Sequence, residues 1–321
     1  MNRHFVQRAS CPACGSATSI ELCRASYTVP PISDYLVSFY SSQGGVEFDL
    51  LEGSDYTVAE CGQCGLVYQS EIPGPALSLK LYEEWIDPQK AFEVYEAPRD
   101  LAYFLALADE IANLIQHFNM APAGLRVLDF GMGWGFWCRT AMGLGCQAYG
   151  VEISPTRIEN AVRRGIQVLR WEEIPNHQFD LINADQVFEH IPQPLETLRH
   201  LRRALKPGGL LKISVPDGRN ATRNLWRWNW EAAAGSDDSL NPVAPLEHIN
   251  CFTRKTLVTM AARADLKPAF VPHRLVIASA PGIASRPFLR KVLKAILGAH
   301  SRLLAKKGTT VLLENALVAP R

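Results

Sequence analysis

The sequence predicts an α/β protein: a doubly wound, mostly parallel sheet preceded by a small metal-stapled module. Three observations predict it. Two Cys-x-x-Cys-Gly knuckles stand near the N-terminus, strand-like and helix-like stretches alternate after residue 120, and a glycine-rich turn follows the first of those strands. The expected division is 1–80 for the metal-binding module, 81–120 for a linker and amphipathic helix, and 121–321 for the sheet domain.

The 321 residues, 47% hydrophobic and 20% charged, give enough core for one large domain and an appendage. Lys plus Arg number 33 and Asp plus Glu 32, so no overall field draws the chain to nucleic acid or to a membrane. Any charged partner must be met locally. The opening MNRHFVQRASCPACG lacks the apolar stretch of an export signal, and no run of about 18 apolar residues occurs. The expectation is a cytoplasmic protein whose cysteines remain thiols or bind metal.

Cys11-Pro-Ala-Cys14-Gly and Cys61-Gly-Gln-Cys64-Gly supply four thiolates, the number that closes a tetrahedral zinc shell. A glycine after each pair lets backbone amides approach the sulfurs. A closed site of this kind holds a fold together and leaves no open position for chemistry. Cys23, Cys138, Cys146 and Cys251 lack such spacing and read as small buried apolar residues. Around the knuckles, Val46 to Leu51 and Leu66 to Gln69 read as short β-like runs.

From Arg99 to Met120, Leu101, Phe104, Leu105, Ala108, Ile111, Leu114, Ile115 and Phe118 recur at helical spacing and predict one amphipathic helix. Strand Arg126 to Phe130, a helix from Trp134, strand Gln147 to Ile153, a helix from Pro155, and strands Ile166 to Arg170 and Phe179 to Ala184 follow. A helix Pro194 to Leu205 and a strand Leu210 to Val215 flank the breaker Lys206-Pro207-Gly208-Gly209. The helix Arg254 to Ala264 and the apolar stretches Ala269 to Ala278 and Thr309 to Val318 would complete the sheet.

Val127-Leu-Asp129-Phe-Gly131-Met-Gly133-Trp-Gly135 runs from a strand into a glycine-rich turn and a helix N-terminus, where backbone can pass close to a ligand. Glu152, at the end of the next strand, is placed to accept from the two hydroxyls of a ribose. A dinucleotide fingerprint would require Gly or Ala at 136; Phe136 stands there and leaves little room for a pyrophosphate.

Together VLDFGMGWG, YGVEIS and FDLINADQVFEHIPQPLETLRHLRRALKPGGLLKISVP resemble the class I S-adenosylmethionine-dependent methyltransferases, over roughly residues 100 to 320. The resemblance implies a Rossmann-like methyltransferase fold with seven strands and S-adenosylmethionine as cofactor. It implies that Asp129 with Gly131, Gly133 and Gly135 holds the methionine end, that Glu152 meets the ribose, that the adjoining Ile153 is among the cofactor-binding residues, and that Asn183 to Gln186, including Asp185, line the sulfonium side. An acid that such enzymes often carry for the adenine is replaced by Arg170, so adenine falls to Trp171, Glu172 or backbone groups.

Methyl transfer needs an aligned acceptor and, where the acceptor is weakly nucleophilic, a base. His190, in Phe188-Glu189-His190-Ile191-Pro192, is either such a base or a helix-start residue satisfied by a carbonyl. His248, in Leu246-Glu247-His248-Ile249-Asn250, is the favoured base, with Glu247 orienting it. The knuckles together with EHINCFT are also similar to sugar C-methyltransferases acting on nucleotide-linked keto-deoxysugars. That similarity implies zinc, a small-molecule or sugar-type acceptor such as a nucleotide-linked sugar or polysaccharide precursor, and the Glu247–His248 pair as base. Tyr82 and Tyr95 stand where those enzymes place substrate-binding tyrosines. This chain is shorter than those enzymes.

Trp226, Trp228 and Trp230 alternate with Arg227 and Asn229 and suit either stacking on bases or sugars or, preferably, a lid over the site. Residues 286–307 are basic with an apolar stripe, the pattern of a helix covering the sheet or of peripheral membrane contact. An RNA methyltransferase, a non-catalytic interaction protein and a nicotinamide oxidoreductase are the rival readings. The neutral charge balance and the sequence Asn183-Ala-Asp-Gln, in place of an Asn/Asp-Pro-Pro-Tyr/Phe turn, argue against nucleic acid. The intact acidic and glycine positions argue against a non-catalytic protein.

Overall fold

The computed structural model describes residues 2–271 and 308–316. The N-terminal region contains β1 (Phe5–Gln7), β2 (Ser19–Ser26), α1 (Ile32–Tyr40), β3 (Asp55–Cys61), β4 (Val67–Gln69), β5 (Glu71–Pro73), and the short helices α2 (Pro75–Lys80) and α3 (Pro88–Ala91), each continuing into a π-helical turn. The long helix α4 (Leu101–Gln116) leads to β6 (Arg126–Phe130), α5 (Phe136–Gly143), β7 (Gln147–Val151), α6 (Pro155–Arg163), β8 (Gln167–Val168) and β9 (Phe179–Asp185). Then come α7 (Pro194–Arg203), β10 (Leu205–Val215), α8 (Ala221–Arg227), β11 (Asn250–Cys251), α9 (Arg254–Ala262), β12 (Leu266–Pro268) and β13 (Thr309–Asn315).

Seven strands form one sheet in the order β12-β13-β10-β9-β6-β7-β8. The five strands from β10 to β8 are parallel, and β13 runs antiparallel to both of its neighbours. This is the Rossmann-like methyltransferase sheet. The chain builds outward from β6 in both directions, so β6 and β9 flank the switch point where such sheets open a crevice at their carboxyl ends. Near-continuous apolar runs such as Val127, Leu128 and Phe130 follow from burial of a central parallel strand on both faces.

Helix α4 is capped by Asp100, whose carboxylate accepts from the Tyr103 amide at 2.9 Å. Its C-terminal half buries Ile111, Leu114 and Ile115 against the sheet, whereas Leu101 and Leu105 stay exposed, so only half of the expected apolar stripe is used. Helix α6 starts at Ser154 with Pro155 in its first turn.

A second sheet, β11-β4-β3-β2, carries the knuckles. Its edge strand β11 comes from far along the chain, pairing Asn250 with Tyr68 and Cys251 with Val67. One apolar cluster accordingly unites Tyr27, Ile32, Leu36 and Tyr56 with Leu225, Leu240, Val243 and Leu246.

Several boundaries differ from expectation. The β-like run Val46 to Leu51 instead forms a 3-10 turn, Phe48–Leu50. Strand β7 stops at Val151, so Glu152 and Ile153 lie beyond its end, and β8 keeps only two residues. Lys206-Pro207-Gly208-Gly209 does not separate helix from strand: β10 begins at Leu205, and the glycines fall in an irregularity before pairing resumes at Leu210. Residues 286–307, with the expected membrane contact, lie outside the described residues, as does most of Ala269 to Ala278. No helix among the described residues is long and apolar enough to cross a membrane.

Candidate active site

The cleft at the carboxyl ends of β6, β7 and β9 is lined by one acid from each strand or the turn just past it. Asp129 is the next-to-last residue of β6 and is only 4% exposed; the Asn183 amide donates to its Oδ1 at 2.7 Å. Burial raises the Asp129 carboxyl to about 7, against the lowering effect of that amide, and Asp185 adds to the rise. Glu152, just past β7, folds back under the glycine turn. Its Oε2 accepts from the Gly133 amide at 2.9 Å, and Oε1 from the Ile153 and Ser154 amides at 2.9 and 3.0 Å.

Gly131 and Gly133 have φ of 74° and 53°, in the region that favours glycine. A Cβ on Gly131 would meet Val187 Cγ2 at 2.5 Å, while one on Gly133 would meet nothing within 4 Å, so the turn is packed on one side and open on the other. Ile153 is 73% exposed, and Trp171 is held by stacking on His200 at 3.8 Å with a 9° interplanar angle. These are an apolar side chain and a fixed aromatic face at the rim where the resemblance puts ribose and adenine. Asp185 ends β9 and is exposed.

The tripeptide Glu-His-Ile occurs at both 189–191 and 247–249, and the fold sets the two copies side by side. The His190 and His248 rings lie 4.8 Å apart. Asn250 stitches the copies together: its side chain donates to the carbonyls of Phe188 at 2.9 Å and Ile191 at 2.7 Å, and its amide donates to the Glu189 carbonyl at 3.0 Å. Nδ1 of His190 donates to the Glu247 carbonyl at 3.0 Å with Tyr82 Oη 2.9 Å away, and Nδ1 of His248 donates to the Asn241 carbonyl. A carbonyl can only accept, so both Nδ1 atoms carry protons and both Nε2 atoms keep lone pairs. Desolvation lowers both imidazoles, His190 to about 3 with His248 contributing, and His248 to about 4.

The expected orientation of His248 by the Glu247 side chain is not what the structure has. Glu247 instead accepts from Tyr40 Oη at 2.8 Å, a hydroxyl contributed by α1, and the backbone of Asn241 holds His248. Burial raises the Glu247 carboxyl to about 7, opposed by that hydroxyl, and raises Glu189 to about 8. Tyr82 meets His190; the side chain of Tyr95 lies outside the described residues.

A polar cavity of about 100 Å³ is lined among others by Gln186, Asp217, Asn220, Asn224, Ser239 and Asn241, the last of which also holds His248. Gln186 adopts φ 55°, uncommon without glycine, and its amide is tied to the Ser214 carbonyl at 2.8 Å. Trp228 and Trp230 pack on Tyr56 and Tyr35 of the N-terminal region, with ring centroids 5.0 to 6.2 Å apart; Trp226 is 82% exposed.

In the N-terminal region, Cys11, Cys14, Cys61 and Cys64 are all buried and converge. Sγ atoms of Cys11 and Cys64 lie 3.6 Å apart, those of Cys14 and Cys61 3.5 Å apart. A disulfide would need about 2.05 Å, whereas a tetrahedral zinc with bonds of about 2.3 Å sets sulfurs about 3.8 Å apart. The thiol set fits zinc. The Cys11–Cys64 hydrogen bond pulls the Cys64 thiol down and pushes that of Cys11 up.

Residues that sequence reasoning missed are Tyr40, Asn241, Asn250, Glu189 and Arg8. Arg8 donates to the carbonyls of Gln69, Ile249 and Pro192 and to Asn250 Oδ1, at 3.0 to 3.2 Å, and so ties both Glu-His-Ile segments to the knuckle sheet. The repeated tripeptide was the one visible signal.

A profile of the methyltransferase domain family matches residues 99–269. The chain belongs to this family. It is 31% identical over 108 residues to a ubiquinone biosynthesis O-methyltransferase of Xanthomonas axonopodis pv. citri (strain 306), covering 30% of this chain and 45% of that protein. It is 29% identical over 225 residues to the protein of the same name from Bradyrhizobium diazoefficiens, covering 66% of this chain and 83% of the relative. The match spans less than half the length of the Xanthomonas relatives. Among solved structures, the plantazolicin methyltransferase BpumL in complex with SAH shares 16% identity at a TM-score of 0.46, covering 75% of this chain and 94% of that one. A SAM-dependent methyltransferase from Aquifex aeolicus shares 19% at 0.40, covering 58% and 91%.

Proposed function

We propose that this methyltransferase-domain protein transfers a methyl group from S-adenosylmethionine to a small, hydroxyl-rich acceptor, of which a nucleotide-linked sugar or polysaccharide precursor is the favoured class. The observation that carries the reading is the arrangement of Asp129, the open side of the glycine turn and Glu152 at adjoining strand ends. When bound, S-adenosylmethionine supplies a methyl group on a sulfonium, an electrophile that needs no further activation.

The residues then have separable tasks. Asp129 holds the cofactor's ammonium; Glu152 releases the Gly133 amide and accepts ribose hydroxyls; Ile153 and Trp171 cover the adenosine, and Asp185 borders the reacting end. The amide and hydroxyl lining of the cavity orients a polyhydroxylated acceptor. His248, with Nδ1–H fixed on Asn241 and Nε2 bare, takes the acceptor's proton as the new bond to methyl forms and S-adenosylhomocysteine leaves. The four thiols hold structural zinc. Commitment of Trp228 and Trp230 to internal packing supports a small acceptor over a stacked nucleic-acid base.

Calorimetry with S-adenosylmethionine, followed by methyl uptake across nucleotide sugars and small phenols, tests the reading. His248→Ala is expected to retain cofactor binding and to lose about 10²- to 10⁴-fold in turnover. Folded, zinc-loaded protein that fails to bind S-adenosylmethionine at millimolar concentration would overturn it.

A further inference from the structure

We infer that Glu189, His190 and His248 form a binding site for a divalent metal cation, distinct from the four thiols; the inference rests on the proposal that His248 meets the acceptor. Glu189 is 1% exposed, and neither of its carboxylate oxygens has a hydrogen-bond partner. Among the described residues no lysine or arginine pairs with it; the nearest basic atom is His190 Nε2, at 3.9 Å. A carboxylate buried without donors or a countercharge is strongly disfavoured. A cation at this point removes that penalty.

The neighbouring groups have the chemistry to hold one. Each histidine spends its Nδ1–H on a backbone carbonyl, Glu247 for His190 and Asn241 for His248, the outer bond that fixes a metal-binding imidazole and leaves Nε2 as donor. One potential ligand atom from each of the three residues lies within 4.8 Å of the others. A six-coordinate ion with bonds of about 2.1 Å places adjacent ligands about 3.0 Å apart and opposite ones about 4.2 Å apart. Small side-chain rotations therefore close the shell. Two imidazoles and one carboxylate occupy half of an octahedron and suit Mn²⁺, Fe²⁺, Co²⁺ or Zn²⁺, with open positions for the acceptor.

The ligand class follows. An acceptor with two adjacent oxygens, a vicinal diol or a hydroxy-ketone, replaces water at the open positions. The cation lowers the pKa of a bound hydroxyl, or of the C–H beside a bound carbonyl; that proton passes to solvent, and the alkoxide oxygen or enolate carbon so formed takes the methyl group as the sulfonium C–S bond breaks. His248 Nε2 takes the acceptor's proton in the metal-free protein and holds a cation in the loaded one, so occupancy moves deprotonation from His248 to solvent.

The test uses full-length protein with the thiol site filled with zinc, titrated with Mn²⁺ alone and followed by the electron paramagnetic resonance of free manganese. One Mn²⁺ per chain is expected, with affinity weakened at least tenfold by Glu189→Gln and by His248→Ala. No retention at millimolar Mn²⁺, or retention that survives one or both substitutions, overturns the site. Where a variant does not fold, pulsed resonance on the wild type decides: couplings to two imidazole nitrogens uphold it, and their absence overturns it. Absence of manganese binding with S-adenosylmethionine binding intact removes the metal site alone, whereas loss of S-adenosylmethionine binding in the wild type removes the proposed methyl transfer.

Discussion

Asp129 and Glu152 show how much a single side chain reports of the site. Both stand beside a glycine turn, so the signal is local in sequence and was legible there. What the sequence did not carry is the state of the carboxyl. Burial raises Asp129 to about 7 from a usual value near 3.8, so the folded chain holds this proton more tightly than the unfolded chain does. The sign follows: the group favours folding below about pH 4 and opposes it increasingly as pH rises toward 7. For the proposed binding of the cofactor's ammonium by Asp129 the dependence is opposite, because the ionised form is the one that would hold it. S-adenosylmethionine affinity measured by calorimetry is expected to rise from pH 6 to pH 8, approaching tenfold per unit on the acid side, and Asp129→Asn should flatten that dependence. Tyr40 illustrates what stays hidden: its partner Glu247 is 207 positions away, and nothing in either segment names the other.

At the scale of elements, apolar periodicity located α4, and alternation of strand-like with helix-like stretches located α6 and the parallel strands, because each rests on neighbours a few residues apart. The donation of β11 to the knuckle sheet had no such cue, since two residues make too short a pattern to read. Arg8 is its anchor, with bonds to Ile249, Asn250 and Pro192. Arg8→Met strips charged donors from these carbonyls and from the buried Asn250 side chain, at an expected ~3 kcal/mol in urea denaturation. Arg8→Lys, which cannot fork between two segments, is expected to recover only part of it.

For the molecule as a whole, the knuckles and the histidines belong to one mechanical unit. The chain from Cys61 runs directly into β4, whose partner β11 follows Ile249. Removal of zinc by a chelator under reducing conditions is therefore expected to lower the melting temperature and to speed amide hydrogen exchange at 186–192 and 247–251, while 126–130 and 147–151 stay protected. Uniform loss of protection across all four segments would mean that the thiol site holds up the entire fold. The parallel sheet was foreseeable from alternation of strands and helices and its seven strands from the family resemblance, but the packing of the N-terminal region against that sheet was not, because composition and spacing say nothing of how two sheets meet.

The antiparallel pairing of β12 with β13 fixes where the chain leaves and rejoins the large sheet. Lys267 faces Glu314 and Pro268 faces Leu313, on the margin opposite β8 and separated from β6 by β10 and β9. The described residues on either side of 272–307 thus sit on one antiparallel strand pair, with two strands between it and β6. Replacing 272–307 with a short Asn-Gly linker, or cutting there to create new termini, should yield a chain that still binds S-adenosylmethionine with unchanged affinity in calorimetry. That margin is the natural port for fusing this chain to a partner.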